Sequence, residues 1–388
     1  MRKILVFTGS RAEYGLLRPL MEEIKKDSSL TLQILVTGAH LSERFGFTLR
    51  EIESDGFAID ETVDMKLNSD SPQGVTASMG RGMIGFGEAF QRLEPDMMVL
   101  LGDRFETFCA AACALVYRIP VAHIHGGELT LGAMDDAFRH AITKMSHLHF
   151  TSTEIYRRRV IQMGEAPEKV FHVGAMGVER LLKIKPLSRE ALSRSLGFLL
   201  DSPFFLVTFH PVTLARQTAG DQVDELLRAL DRFPGHQVIF TKANADTEGG
   251  IINQRIDAYV RKKGTRAFLS ASLGEMNYLS AMRHAAAVIG NSSSGIIEAP
   301  SFQTPTVNIG DRQEGRLKAD SVIDCEPVEE KIGQAISQAM SGEFKERVTR
   351  TKNLYEKEKT AETIKEIIKN ASLNEMVKKR FFDCPINA

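Results

Sequence analysis

At 388 residues the chain is long enough for two domains of ordinary size, and its 43% hydrophobic and 26% charged residues are typical of a soluble globular protein. A formal net charge of −1 excludes the basic surface of a protein that binds nucleic acid or an anionic membrane. Four cysteines are too few for a disulfide scaffold, and we find neither a signal peptide nor a run of roughly 18 apolar residues, so we expect a cytoplasmic protein.

Short apolar runs alternate with longer helical patterns through most of the chain, and this alternation predicts parallel α/β sheets. A polar, charge-mixed segment at 183–202 separates two halves, so we place the domain boundary near residue 180. Residues 352–371 are dense in Lys and Glu at helical spacing, which predicts a solvated helix face. The predicted strands are 3–8, 32–37, 97–101, 121–125, 148–152 and 170–173 in the first half, and 204–209, 237–241, 266–269, 287–289 and 306–309 in the second.

The first and third strands both end in residues that could bind an anion. The first ends in Gly9-Ser10-Arg11, at the carboxyl edge where open α/β sheets bind ligands, and Arg11 is either a ligand donor or only a surface cation. The third ends in Gly102-Asp103-Arg104. These two side chains could pair with each other, or Arg104 could hold a phosphate while Asp103 takes a proton. We favour the second interpretation because the next strand also ends in reactive groups.

That next strand delivers His123 and His125, and Glu128 follows on a glycine-containing turn. Alternation along a strand predicts that the two imidazoles share one face, and imidazoles beside carboxylates suit acid/base catalysis near neutral pH. Asp135 and Asp136 come at a predicted helix start, where they could transfer protons or merely cap the helix. A metal site is the weaker interpretation, because proton transfer and helix capping explain these acids without one.

The second half contains a candidate nucleotide site. One strand ends at His210, a possible phosphate donor or general acid, and the next leads to Asn244, which could contact a nucleotide or simply form a turn. Residues 290–295, Gly-Asn-Ser-Ser-Ser-Gly, join a later strand to a predicted helix, where N–H groups, hydroxyls and the helix dipole favour an anion unless the serines are merely N-caps. Glu298 lies one turn further, where a carboxylate suits ribose hydroxyls.

Several motifs occur in one order along nearly the whole chain: Gly102-Asp103-Arg104-Phe105, residues 123–128 with 135–144, residues 209–213, Gly290-Asn291-Ser292-Ser293 with Glu298, and Gly310-Asp311-Arg312-Gln313. Together they resemble the hydrolysing UDP-N-acetylglucosamine 2-epimerases of sialic-acid-type pathways. The resemblance implies an α/β fold of GT-B architecture, with two Rossmann-like domains, parallel sheets and an inter-domain cleft. It implies domains at 1–180 and 181–365, and a C-terminal helix at about 366–388 that packs back on the first domain.

The resemblance also implies a reaction. Such an enzyme eliminates UDP across C1 and C2 of a UDP-2-acetamido sugar and then adds water to the glycal, which inverts C2. It implies no metal or redox cofactor, a homodimer, and UDP-N-acetylglucosamine or UDP-2,4-diacetamido-2,4,6-trideoxyglucose as the substrate. By position it implies UDP binding by Arg11, Arg104, His210, Asn244, Ser292, Ser293, Glu298 and Arg312, and proton transfer by Asp103, His125, Glu128, Asp135 and His210.

One position departs from the family pattern, because His125 stands where many sialic-acid members carry Glu. Proton transfer then falls to His125, to Glu128 or to Asp135, or the pocket fits a different sugar. The variant is similar to members that act on the 2,4-diacetamido sugar leading to legionaminic acid. Two other functions remain as alternatives: a GT-B glycosyltransferase, and a nucleotide-sugar-binding protein without turnover. The density of acids and imidazoles at 103–140 argues against the second alternative.

Overall fold

The computed structural model describes residues 1–69, 71–130, 134–211, 218–242, 249–270, 273–374 and 376–384. The chain divides into two units, and each unit contains one parallel sheet. Unit 1 comprises Met1–Leu129, Ala133–Glu179 and Lys357–Ala388, and unit 2 comprises Thr130–Gly132 and Arg180–Glu356.

The sheet of unit 1 contains strands β1 (Arg2–Thr8), β2 (Leu30–Thr37), β3 (Glu61–Val63), β4 (Met97–Leu101), β5 (Val121–Ile124), β6 (Leu148–Thr151) and β7 (Val170–His172). The helices between them are α1 (Arg11–Lys26), α2 (Leu49–Ser54), α3 (Pro72–Leu93), α4 (Phe105–Val116), α5 (Met134–Met145), α6 (Glu154–Gln162) and α7 (Met176–Lys183). The strand order is β3-β2-β1-β4-β5-β6-β7, which is the Rossmann order with a seventh strand added. The order reverses between β1 and β4, and such sheets bind ligands beside the carboxyl ends at that point.

Unit 2 repeats this plan with six strands. They are β8 (Phe204–Thr208), β9 (Gln237–Thr241), β10 (Ala267–Ser270), β11 (Ala287–Gly290), β12 (Thr306–Ile309) and β13 (Val322–Cys325). Its helices are α8 (Arg189–Leu196), α9 (Ala219–Asp231), α10 (Gly249–Lys263), α11 (Glu275–His284), α12 (Ser294–Ile297), α13 (Glu329–Met340) and α14 (Gly342–Thr349). All pairings are parallel, and the order β10-β9-β8-β11-β12-β13 reverses between β8 and β11.

The central strands are buried on both faces, which explains their continuous apolar runs. In β1, Ile4 and Val6 pack into one hydrophobic cluster, whereas Leu5 and Phe7 pack into another. Each predicted strand is present, with ends shifted by no more than two residues. Two of the four edge strands, β3 and β13, were not predicted, because their partly exposed residues lack such a run.

The C-terminal helix needs a correction. Helix α15 (Thr360–Asn370) belongs to unit 1, and among described residues after Asn370 no further helix forms, so the predicted helix at about 366–388 was placed too late. Thr360 Oγ1 donates to the Val173 carbonyl over 2.7 Å, and Lys369 Nζ lies 2.8 Å from Asp27 Oδ2. These contacts, with apolar residues such as Ile364 in the unit 1 core, hold the helix on unit 1, and it lies within the segment 352–371 whose Lys and Glu spacing predicted a helix. In the part of the chain that the structure describes, no helix has the length and apolar character to cross a membrane.

Candidate active site

The candidate residues of unit 1 follow strands β1, β4 and β5, which are neighbours in the sheet. Arg11 is the first residue of α1, its side chain is 58% exposed, and its Nε lies 3.0 Å from Glu51 Oε2. Arg11 is therefore an exposed cation at the predicted edge, and a carboxylate already pairs with it.

Arg104 forms a two-pronged ion pair with Glu106 at the start of α4. Its Nε and Nη2 donate to the two carboxylate oxygens over 3.2 and 3.1 Å, and the Glu106 side chain is fully buried. Burial acts to lower the pKa of Arg104, but the carboxylates of Glu106 and Glu13 outweigh it and raise that pKa. Because Glu106 occupies one edge of the planar guanidinium, the Nη1 side of Arg104 is oriented to hold an anion.

Glu13 is a second buried carboxyl group at this edge. Its Oε2 accepts the N–H of Gly9 over 2.7 Å, and burial, reinforced by the Glu106 carboxylate, raises the pKa of Glu13 to about 7. Sequence reasoning did not single out Glu13 or Glu106. Each lies two residues after a candidate arginine, Arg11 or Arg104, and that spacing was the available signal.

Asp103 pairs with Arg139 of α5, whose Nη2 donates to its carboxylate. Arg139 is buried, and its Nη1 also lies 3.6 Å from Asp136 Oδ1. The alternative in which Asp103 and Arg104 pair with each other is therefore wrong, because each has its own partner. A guanidinium beside Asp103 favours its ionised form, which is the form that accepts a proton.

The two histidines at the end of β5 have different environments. His123 is fully buried, its Nε2 lies 2.8 Å from the Gly102 carbonyl oxygen, and burial lowers its pKa to about 3. Strand β5 ends at Ile124, and His125 has a left-handed φ of 68°. The alternation that predicted a shared face for the two imidazoles therefore does not extend to His125, and His123 is a neutral group that supports the Gly102 turn.

His125, Glu128 and Ser152 lie together. His125 Nδ1 is 3.5 Å from Glu128 Oε1, and Ser152 Oγ donates to the same oxygen over 2.8 Å. The His125 side chain is 13% exposed, whereas that of Glu128 is 4% exposed. Ser152 follows β6 and was missed by sequence reasoning, which treated it only as the end of a strand.

Asp135 and Asp136 lie in the first turn of α5, as predicted, where the helix dipole stabilises negative charge. Asp136 has structural partners, since its Oδ2 lies 3.4 Å from His140 Nε2 and its Oδ1 faces Arg139. The Asp135 carboxylate contributes to the raised pKa of Arg104, so it lies within electrostatic reach of that guanidinium.

In unit 2, neighbouring strands β8 and β11 deliver His210 and Asn291. Asn291 is fully buried: its amide oxygen accepts the N–H of His210 over 2.7 Å, and its amide nitrogen donates to the His210 carbonyl over 2.8 Å. The Asn291 carbonyl accepts from Arg312 Nη1 at 3.1 Å and from Gln313 Nε2 at 2.9 Å. Burial, and then the charge of Arg312, lowers the pKa of His210 to about 4, so its neutral imidazole can donate one N–H near pH 7.

The turn after β11 requires glycine. Gly290 has a φ of 135°, and a Cβ there would lie 1.9 Å from the Thr208 carbonyl oxygen. Helix α12, which follows, has only four residues, so the helix dipole that we expected to attract an anion is small. Anion binding at residues 290–295 would therefore depend on the N–H groups and hydroxyls of this turn.

Those groups surround Ser293. Ser292 Oγ lies 3.0 Å from Ser294 Oγ, which lies 2.5 Å from the Tyr278 hydroxyl. Within the described residues, the N–H groups of Ser292 and Ser293 donate to no protein acceptor, so they are free to bind an anion.

Glu298 ends α12 and is partly buried. Burial, and then the Glu275 carboxylate, raises its pKa to about 7, and Glu275 itself forms an ion pair with Arg180. A carboxyl group held between its two protonation states can both donate to and accept from hydroxyl groups. Asn244 lies outside the described residues. Among the residues that are described, no three His, Cys, Asp or Glu side chains are grouped to hold a metal ion.

Three comparisons relate this chain to known proteins. The sequence pattern of the UDP-N-acetylglucosamine 2-epimerase family matches residues 22–369. The GDP/UDP-N,N'-diacetylbacillosamine 2-epimerase (hydrolyzing) of Campylobacter jejuni is 43% identical over 98% of this chain and 99% of its own length. Polysialic acid biosynthesis protein P7 of Escherichia coli is 40% identical over 99% of this chain and 98% of its own.

The fold is also found among solved structures. The UDP-GlcNAc 2-epimerase of Methanocaldococcus jannaschii, solved in complex with UDP-GlcNAc and UDP, has a TM-score of 0.76 over 95% of this chain and 100% of its own, at 18% identity. At that identity the likeness concerns the fold alone. It confirms the predicted class of two Rossmann-like domains of GT-B type.

Proposed function

Since this enzyme belongs to the UDP-N-acetylglucosamine 2-epimerase family and matches a hydrolysing relative over nearly its whole length, we propose that it converts a UDP-2-acetamido sugar to UDP and the free C2-inverted sugar. One observation carries the proposal. Acid/base groups around Asp103 and His125 collect where the strand order of one sheet reverses, and anion-binding groups around His210 and Ser293 collect at the equivalent point of the other.

The elimination requires both the acid/base residues and the anion-binding residues. The C2–H bond is not acidified by a carbonyl, so elimination needs a base at C2 and strong stabilisation of the departing diphosphate. The C2–H electron pair forms the C1=C2 bond as the C1–O bond breaks. The electrons of the C1–O bond leave on the UDP oxygen. Water then adds its oxygen to C1 and a proton to C2. Inversion requires that the new proton arrive on the face opposite the one that lost its proton.

Two faces of C2 therefore need two proton-transferring groups. We assign these roles among His125, Asp103, Glu128 and Asp135. Asp103 suits the base, because the Arg139 guanidinium keeps its carboxylate ionised. His125 suits either direction, because one nitrogen of a neutral imidazole accepts a proton while the other donates one.

We propose that the candidate residues of unit 2 bind the nucleotide. In unit 1, we propose Arg11 and Arg104 as residues that bind its phosphates. His210, neutral and held through its backbone by Asn291, would donate to the diphosphate. The other contacts follow from chemistry: Ser292, Ser293 and Arg312 at the phosphates, Glu298 at the ribose hydroxyls, and Asn244 at the nucleotide. The catalytic role that we propose for His210 is to stabilise the negative charge on the leaving oxygen through this N–H, because a neutral imidazole has no extra proton to transfer near pH 7.

For the sugar, we propose the 2,4-diacetamido-2,4,6-trideoxy form. The Campylobacter jejuni relative, at 43% identity, carries N,N'-diacetylbacillosamine in its name, and this chain has His125 where many sialic-acid members have Glu. UDP-N-acetylglucosamine is the competing substrate. The two differ at C4 and C6, so one assay with both sugars separates them.

We also propose a homodimer. Met83 and Ile84 of α3 and Leu115 and Val116 at the end of α4 are exposed, with Ile84 at 69% and Val116 at 78%. Cys113 Sγ lies 3.4 Å from the Met83 carbonyl, so these helices present one apolar patch, which a second copy would cover. Light scattering of an Ile84→Asp, Val116→Asp variant should give half the mass of the native protein. An unchanged mass would exclude this patch.

The reaction is tested by incubating the protein with each UDP-sugar in heavy water and following UDP release and the sugar's C2 by NMR. Deuterium at C2 of a free, inverted sugar supports the proposal. UDP release with protium retained at C2 contradicts the elimination. Release that depends on an added sugar acceptor indicates a glycosyltransferase, and an intact UDP-sugar indicates binding alone. A GDP-linked sugar should be included, because the Campylobacter jejuni relative's name gives both nucleotides.

A further inference from the structure

We propose that Glu128 and Ser152 orient His125, so that His125 alone of the three exchanges a proton with C2 of the sugar. This inference rests on the proposed function, and it separates the roles of His125 and Glu128, which the sequence left open. Glu128 is then a positioning residue that acts through His125. We call the three residues the His125 array.

The contacts and exposures of the three side chains support these roles. One oxygen of Glu128, Oε1, accepts from Ser152 Oγ over 2.8 Å and faces His125 Nδ1 at 3.5 Å. The Glu128 side chain is only 4% exposed, so its carboxylate is covered by protein, whereas the His125 side chain is 13% exposed, although its Nε2 atom is itself buried. The 3.5 Å between His125 Nδ1 and Glu128 Oε1 is longer than a normal hydrogen bond, and contacts between catalytic groups are often this long before substrate binds.

The backbone supports the array from both sides. The His125 N–H donates to the Phe150 carbonyl over 2.9 Å, which continues the β5–β6 pairing one residue past the strand and brings the segment that carries Ser152 alongside. Gly127 has a φ of 80°, and a Cβ there would lie 2.5 Å from the Tyr156 carbonyl, so the turn from His125 to Glu128 is tightly packed.

His125 itself is strained. Its φ of 68° lies in the left-handed region, which residues with a side chain rarely adopt and glycine adopts readily. The left-handed backbone turns the imidazole ring out of the strand's alternation and towards the carboxylate three residues ahead.

Glu128 places a carboxylate beside the His125 ring. Among the other described neighbours, His123 is neutral, Arg139 is paired with Asp103, and the Arg159 guanidinium donates to the Gly127 carbonyl. When Nε2 accepts the C2 proton, the positive charge of the imidazolium is balanced by Glu128 through the Nδ1–H. The C2–H electron pair remains on the sugar as the new double bond. Because C2 is inverted, the proton added to C2 comes from a second group on the opposite face.

Four variants test the array: His125→Gln, Glu128→Gln, the double variant, and Ser152→Ala. Glu128→Gln keeps the size and an oxygen for Ser152 but removes the charge. We expect a kcat loss of about 10³-fold for His125→Gln and about 10²-fold for Glu128→Gln, with KM little changed. The double variant should be no slower than His125→Gln alone, because Glu128 acts only through the ring. Glu168→Gln, an exposed acid of the same unit, is the matched control.

A titration gives a second readout that does not depend on turnover. In ¹³C-histidine-labelled protein, the His125 signal is identified by its loss in His125→Gln, and its pKa should fall by about one unit in Glu128→Gln. Ser152→Ala should give a smaller shift in the same direction. An unchanged His125 titration, or a double variant slower than both single variants by their combined factors, would overturn the array. If the native protein instead releases no UDP from any sugar, the proposed function fails, while the titration still decides whether the array exists.

Discussion

Replacing Glu13 by Gln should stabilise the protein above pH 7 and leave its stability near pH 4.5 almost unchanged. Glu13 is 7% exposed, and the bond from the Gly9 N–H to its Oε2, 2.7 Å long, can be kept by the Gln amide oxygen. Burial, and then the nearby Glu106 carboxylate, raises the pKa of Glu13 from 4.5 to about 7. Gln therefore resembles the protonated carboxyl but does not titrate.

The sign of the effect follows from proton binding. Between pH 4.5 and 7 the folded protein keeps a proton on Glu13 that the unfolded chain has released, so the free energy of unfolding falls as pH rises through this window and levels off above it. A pKa raised from 4.5 to about 7 corresponds to roughly 3 kcal/mol. For a unit of roughly 150–250 residues, this is about 6–12 °C in Tm.

Calorimetry of the native protein and Glu13→Gln between pH 4.5 and 8.5 measures this difference. The two Tm values should agree at the acid end and separate steadily up to pH 7, with the variant higher. Glu88→Gln, an exposed acid on α3, should follow the native protein throughout. Parallel curves for native protein and Glu13→Gln would show that Glu13 is ionised in the fold, and the reasoning about the carboxyl groups beside Arg104 would fail.

Four further substitutions probe the candidate residues of the two units. Asp103→Asn should lower kcat by about 10²–10⁴-fold while calorimetric UDP binding is kept, and near-normal turnover would remove Asp103 from the mechanism. Ser293→Ala and Glu298→Gln should each weaken UDP binding by about 2–10-fold, since each loses one hydrogen bond to the nucleotide, and unchanged affinity in both would exclude this nucleotide seat. Asn291→Ala should destabilise unit 2 by about 1–3 kcal/mol in denaturant titrations and weaken UDP binding, because the His210 backbone loses both buried partners; native-like values for both would contradict the positioning of His210 by Asn291.

The central strands could be predicted from the sequence because burial on both faces produces apolar runs that no other element explains. Strands β4, β9 and β12 match their predicted bounds, whereas the edge strands β3 and β13 are short and partly exposed and carry no such signal. Once the strands were predicted, the polar residues at their carboxyl ends were the candidates, because parallel strands bring these ends to one edge of the sheet.

The partners of those residues could not be predicted, because they come from other elements. Adjacency in the sequence left a pair between Asp103 and Arg104 as one alternative. In the structure, Asp103 pairs with Arg139 of α5, and Arg104 pairs with Glu106 in the first turn of α4. The backbone conformation of His125 could not be predicted from the sequence either. A run of four strand residues gives no sign that the fifth adopts a positive φ, since that depends on packing around the following glycines.

Helix α15 has a consequence for synthesis of the protein. It contributes Ile364 and Ile368 to the core of unit 1, yet it leaves the ribosome only after residues 180–356 have been made. Unit 1 is therefore completed only after unit 2 has been synthesised, and until then the surface that α15 covers is open to chaperones.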